Sequence, residues 1–134
     1  LAYLMKCCLT GEKYTVFGYK GKQVRDNIHS YDLITAFDAF FENPRMGEVY
    51  NIGGTHTCTV GDVLEDLLNI SGHAYPIAHD PMRIRPIDAD LQVPDCSKFM
   101  SHTGWKPEIP YEKTLTDLLE YWRDRCRRGR PLQR

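Results

Sequence analysis

The chain predicts a small mixed α/β unit, and three observations carry that prediction. Two short runs rich in β-branched and aromatic residues, 14–17 and 24–28, read as strands set apart by Gly18 and Gly21. Apolar residues recur at helical spacing in several separate stretches. The chain has 134 residues, 42% of them hydrophobic and 11% aromatic, which suits a single domain with one modest core. We therefore treat residues 1–134 as one domain.

The elements follow in order. Leu1, Leu4, Met5, Cys8 and Leu9 share one helical face, and Gly11 stops the run. Residues 14–17 form a strand, Gly18 and Gly21 bracket a hairpin turn, and residues 24–28 return as a second strand. Ser30 is the expected N-cap of a helix whose apolar face is Leu33, Ile34, Phe37, Phe40 and Phe41, ended by Asn43-Pro44. Residues 48–52 read as a short strand running into Gly53-Gly54. Thr59 and Asp62 make a capping box ahead of the stripe Val60, Val63, Leu64, Leu67 and Leu68, which Gly72 closes. Residues 75–78 suit a strand, and the polar, proline-rich stretch 80–94 reads as an ordered loop. Loops of that length in a compact domain usually serve function. Asp95 caps a short helix ending near Gly104, and Trp105-Lys106-Pro107 turns the chain, with Trp105 in the core. A last helix over residues 111–128 buries Leu115, Leu118, Leu119, Trp122 and Cys126, with Gly129 as its stop.

Composition narrows the function classes. A formal net charge of -1 gives no support to bulk nucleic-acid binding. The C-terminal arginines 123, 125, 127, 128, 130 and 134 fit a helix end complementing its dipole and a solvated tail. The five cysteines have irregular spacing and no Cys-x-x-Cys pair, which argues against zinc and for reduced thiols in a cytoplasmic protein. No signal peptide and no apolar run of bilayer length is visible, so no membrane partner is expected. The chain opens at Leu1 inside a helical pattern, as expected of a piece truncated at its N-terminus.

The stretch 22–33, read as Lys-Gln-Val-Arg-Asp-x-Ile-His-x-x-Asp-Leu, resembles the extended short-chain dehydrogenase/reductase family of NAD-dependent nucleotide-sugar epimerases and dehydratases. Residues 14–30 and the word Glu-Val-Tyr-Asn-Ile-Gly-Gly look most like CDP-paratose/CDP-tyvelose 2-epimerases. Arg85-Pro86-x-Asp88-x-Asp90-Leu91, Asp95-x-Ser97-Lys98 and Thr103-Gly104-Trp105-Lys106-Pro107 look closer to GDP-mannose 4,6-dehydratases. The resemblance implies the substrate-binding lobe of such an enzyme, lacking the Rossmann cofactor domain. The glycine-rich dinucleotide turn is absent, and no tyrosine has a lysine four positions on. No cofactor is therefore expected in this chain, NAD belonging to the parent family, and no catalytic residue is assigned.

The resemblance also implies which residues hold substrate. Arg25 would reach the substrate pyrophosphate, for which a planar guanidinium fork is well suited; the alternative is an internal ion pair. In the polar loop Arg85 would take a phosphate and Asp88 a ribose hydroxyl, with Arg83 able to replace Arg85; the alternative is a solvated loop. Thr15 and Phe17 would meet the base through their backbone, although ordinary packing explains Phe17 equally well. Lys22 and Gln23 read as a solvated hairpin and His29 as hydrogen-bonded scaffolding. The reading is then the nucleoside-diphosphate-sugar-binding part of an NAD-dependent epimerase or dehydratase, inactive alone and expected to self-associate or to meet a cofactor domain on another chain. The alternative is a non-catalytic folded module, a gene remnant or interaction domain, with no surviving ligand site.

Overall fold

A computed structural model describes residues 2–16, 22–72, 78–79 and 89–129. Its elements are α1 (Ala2–Thr10), β1 (Thr15–Val16), β2 (Val24–Asn27), α2 (Ser30–Glu42), β3 (His56–Thr59), α3 (Val60–Ser71), β4 (Ala78–His79), β5 (Leu91–Gln92), α4 (Ser97–Thr103) and α5 (Tyr111–Arg127). The mixed α/β class holds.

The strand pairing differs from the hairpin the glycines suggested. β1 pairs in parallel with β4, Thr15 opposite Ala78. β2 lies at the centre of a separate sheet, antiparallel to β3 and parallel to β5. Its register sets Arg25 opposite Cys58 on one side and Gln92 on the other. Backbone bonds extend the ladder at its start, from Val24 N–H to the Asp90 carbonyl (2.7 Å) and from Val60 N–H to the Gln23 carbonyl (2.9 Å). Gln23 is consequently buried, not part of a solvated turn. The short β5 also falls inside the stretch read as loop. Residues 75–77 of the expected strand lie outside the described residues.

Two apolar clusters hold the elements. The larger joins Leu4 and Met5 of α1, Val63, Leu64 and Leu67 of α3, and Tyr111, Leu115, Leu119 and Trp122 of α5. The α1 face is thus covered within the chain. α3 is framed as its sequence requires: Thr59 Oγ1 accepts from Asp62 N–H, Asp62 Oδ2 accepts from Thr59 N–H, and Gly72 ends the helix at φ 72°.

The smaller cluster joins Ala36 of α2 to Phe99 and Trp105, with Ile28, Ala39, Phe40, Tyr50 and Ile52 packed around it. Here α2 departs from its apolar pattern. Ile34, Phe37 and Phe41 remain 55%, 51% and 72% exposed, and the stripe facing inward is Asp32, Ala36, Ala39 and Phe40. The Asp32 carboxylate accounts for this rotation, since it accepts the Glu108 and Ile109 amides at 3.2 and 3.1 Å. Trp105 Nε1 adds a bond to Thr35 Oγ1 at 2.9 Å. The N-cap is His29, whose Nδ1 accepts from Tyr31 N–H, and Ser30 is already helical. The expected Ser30 cap is therefore displaced by one residue.

Residues 48–52 form no strand. Side chains hold their backbone instead. Lys98 Nζ donates to the Val49 carbonyl and to Glu48, at 3.0 and 2.6 Å. Tyr50 stacks on His102 and meets Phe99 edge-on, its hydroxyl 2.6 Å from His102 Nδ1. Asp95 works at the entry to α4, its Oδ1 accepting from the Ser97 hydroxyl at 2.5 Å and from Ser97 N–H at 2.9 Å; the hydroxyl, and after it the amide, hold its carboxyl below the usual range.

Candidate functional site

The sheet and the segment after α2 border an open cavity of about 740 Å³, within the range of small-molecule sites. β2 contributes Arg25, Asp26 and Ile28, the segment before β3 contributes Asn51 and Ile52, and residues 91–95 close the remaining side. Arg25 is placed there by strand register. Its Nη1 donates to the Val24 and Ala89 carbonyls, both at 2.8 Å, so one nitrogen of the fork ties the approach to β5 onto β2. Asp26 does not serve primarily as its counter-ion. Its Oδ2 accepts from Gly54 N–H at 2.6 Å.

Gly53 and Gly54 earn their place by close approach. A Cβ on Gly54 would run into the Asn27 carbonyl, and one on Gly53 would come within 2.6 Å of Pro94. The Gly53 N–H is turned to the Cys96 sulfur, whose thiol is nonetheless pushed up, chiefly by burial and then by Asp26. Both glycine amides are thus spent on side chains.

Of the residues singled out from sequence, Arg25 lines this cavity. Thr15 belongs to the β1–β4 ladder and is not among the described residues that line it. Phe17, Arg83, Arg85 and Asp88 lie outside the described residues. Asn51 and Gln92 went unnoticed. The available signal for Asn51 was a polar residue between Tyr50 and Ile52 in an otherwise apolar word; Gln92 lay in a stretch read as loop.

A second, mainly apolar cavity of about 570 Å³ opens where α2 begins against α5, lined by Ile28, His29, Asp117, Leu118 and Tyr121 among others. His29 Nδ1 accepts the Tyr31 amide, so Nε2 carries the ring proton, 3.3 Å from Asp117. With both nitrogens engaged, His29 caps and braces the helix start. The described residues contain no group of three potential metal ligands, and no helix among them is long and apolar enough to cross a membrane.

The fold is shared with nucleotide-sugar epimerases of the extended short-chain dehydrogenase/reductase class, over about 40% of their length. The profile of the family described as GDP-mannose 4,6 dehydratase matches residues 3–118, and the chain belongs to that family. Human dTDP-D-glucose 4,6-dehydratase is 24% identical over 129 residues, covering 92% of this chain and 34% of its own length. The UDP-glucuronic acid 4-epimerase of Bacillus cereus, solved with UDP-glucuronic acid and NAD, superposes with a TM-score of 0.82 at 26% identity, over 92% of this chain and 40% of that one. The UDP-glucose 4-epimerase of Bifidobacterium longum, solved with NAD+ and UDP, gives 0.79 at 27% identity, over 98% and 40%. The chain therefore spans about a third of the human relative's length.

Proposed function

We propose that this chain is the nucleoside-diphosphate-sugar-binding part of an NAD-dependent nucleotide-sugar epimerase or dehydratase. The observation that carries the reading is Arg25, set by strand register into a cavity of about 740 Å³. A guanidinium in a cavity of that size matches a diphosphate with a sugar attached. Relatives solved with UDP-glucuronic acid or UDP support the ligand class. Arg85 and Asp88 belong to the same proposal, as do Thr15 and Phe17 at the base end. The chain would lend remote binding energy that orients the sugar for chemistry performed elsewhere. NAD would be held outside these residues, which carry neither a glycine-rich dinucleotide turn nor a Tyr-x-x-x-Lys pair.

Calorimetric titration of the chain with UDP tests this. Arg25→Ala is expected to weaken binding about ten-fold or more, the loss of one charge-assisted hydrogen bond. Arg25→Lys keeps the charge without the fork and should fall between. No binding at millimolar UDP, or equal affinity in all three proteins, removes the reading. Enzyme-concentration-dependent turnover of a UDP-sugar by this chain would remove the assignment of catalysis elsewhere.

One observation favours the second reading, a protein-interaction module: the exposed Ile34, Phe37 and Phe41 stripe of α2. It is compatible with the first, since a partner carrying the cofactor or a second copy of the chain would need such a face.

A further inference from the structure

Three chain segments wall the Arg25 cavity, and they converge on one glycine. A Cβ built on Gly53 would lie 2.6 Å from Pro94 Cγ, 2.8 Å from Asp26 Oδ2 and 3.2 Å from Cys96 Sγ. The next amide, Gly54 N–H, donates to Asp26 Oδ2 at 2.6 Å. Asp26 also lines the cavity. A carboxylate there repels a bound phosphate, so its presence has to be explained by something other than ligand charge. Its hydrogen bond supplies the explanation. The irregular segment 51–54 has no ladder pairing to β2, and this bond ties it to the strand in place of a ladder, while the Gly53 amide on Cys96 ties it to the start of α4.

We propose that Asp26 is a positioning residue of the cavity, setting the spacing between the Arg25 wall and the Asn51 wall by the length of its side chain rather than by its charge. This rests on the cavity being a nucleoside-diphosphate site. Small displacements of a binding wall cost affinity steeply, because the contacts on both sides must be made at once.

Length and charge are separable by substitution, with UDP as the probe, calorimetry on the whole chain as the readout and thermal melting as the check on folding. Asp26→Ala removes the acceptor and is expected to weaken UDP binding about ten-fold. Asp26→Asn keeps an acceptor oxygen at the same reach and is expected to restore binding to the wild-type value or tighter, since the repulsion is gone. Asp26→Glu keeps the charge, lengthens the arm by one methylene, and is expected to bind as weakly as the alanine variant. Should Asp26→Ala or Asp26→Glu fail to fold, Cys96→Ala removes the second amide partner at a half-buried position, and a loss of about three-fold is expected. Wild-type affinity in the Glu and Ala variants overturns the inference, as does an Asn variant as weak as Ala, or an unchanged Cys96→Ala where that variant stands in. Absence of UDP binding by the wild type brings down the nucleotide reading itself and the inference with it, whereas wild-type binding with a flat variant series overturns positioning alone.

Discussion

Thr59 and Asp62 satisfy each other's backbone amides, and the pair makes α3's start sensitive to acid. The Thr59 hydroxyl, and after it the Thr59 amide, hold the Asp62 carboxyl below its ordinary 3.8. A carboxyl lowered by folding contributes stability that is complete above its unfolded value and lost as pH falls through the folded one. Urea titrations should therefore show Asp62→Ala less stable than wild type at neutral pH, with the two curves converging below pH 3.8. A difference that persists unchanged at pH 2, which is roughly two units below that value, would show that the carboxylate's charge is not what stabilises the cap. This box was legible because its two partners sit three residues apart in sequence. Asp26 and Asp32 were not, because their partners are backbone amides 28 and 76 residues away. Nothing local in the sequence marks an acid that will turn inward to cap a distant loop.

Helix α2 shows how an element can be predicted correctly and still face the wrong way. The 3.6-residue period of Leu33, Ile34, Phe37, Phe40 and Phe41 located the helix, and large apolar side chains ordinarily define its buried side. The buried Asp32 carboxylate is the acceptor for two part-buried amides at Glu108 and Ile109, however, and keeping them paired outweighs covering the phenylalanines. Chemical denaturation tests that ordering directly. Asp32→Ala should destabilise by about 1–3 kcal/mol through the orphaned amides, whereas Phe37→Ala should stay within about 0.5 kcal/mol, as exposed sites do. The reverse ranking would mean that the apolar stripe is the buried face after all. The expected strand at residues 48–52 failed for a related reason. Val49, Tyr50 and Ile52 suit a strand, but Lys98 and His102 take up the segment through side chains, and no ladder forms.

For the molecule as a whole, the fold class and the family were legible because short words such as Arg-Asp-x-Ile-His and Tyr-Asn-Ile-Gly-Gly carry local geometry with them. Placement of the cavity depended on β2 pairing with β3 and β5 rather than β1, a choice between distant partners that period and turn residues do not encode. The same limit applies to association. Leu4 and Met5, on the apolar face that the spacing gives α1, are almost completely buried under α3 and α5. The face left open is on α2, where Tyr31, Ile34, Phe37 and Phe41 are all more than half exposed. Contiguous apolar surface of a few hundred Å² usually marks an interface, and its burial returns about 25 cal/mol per Å² before association costs. A two-fold pairing of α2 against α2 is the simplest closed arrangement. Light scattering over a concentration series should show mass rising toward a dimer at high micromolar chain. Phe37→Glu should hold the chain monomeric while leaving its melting temperature near wild type, because the side chain is half exposed. A wild-type mass that stays monomeric throughout would mean that this face meets a different surface, and a Phe37→Glu variant that dimerises as wild type would place self-association on another face of the molecule.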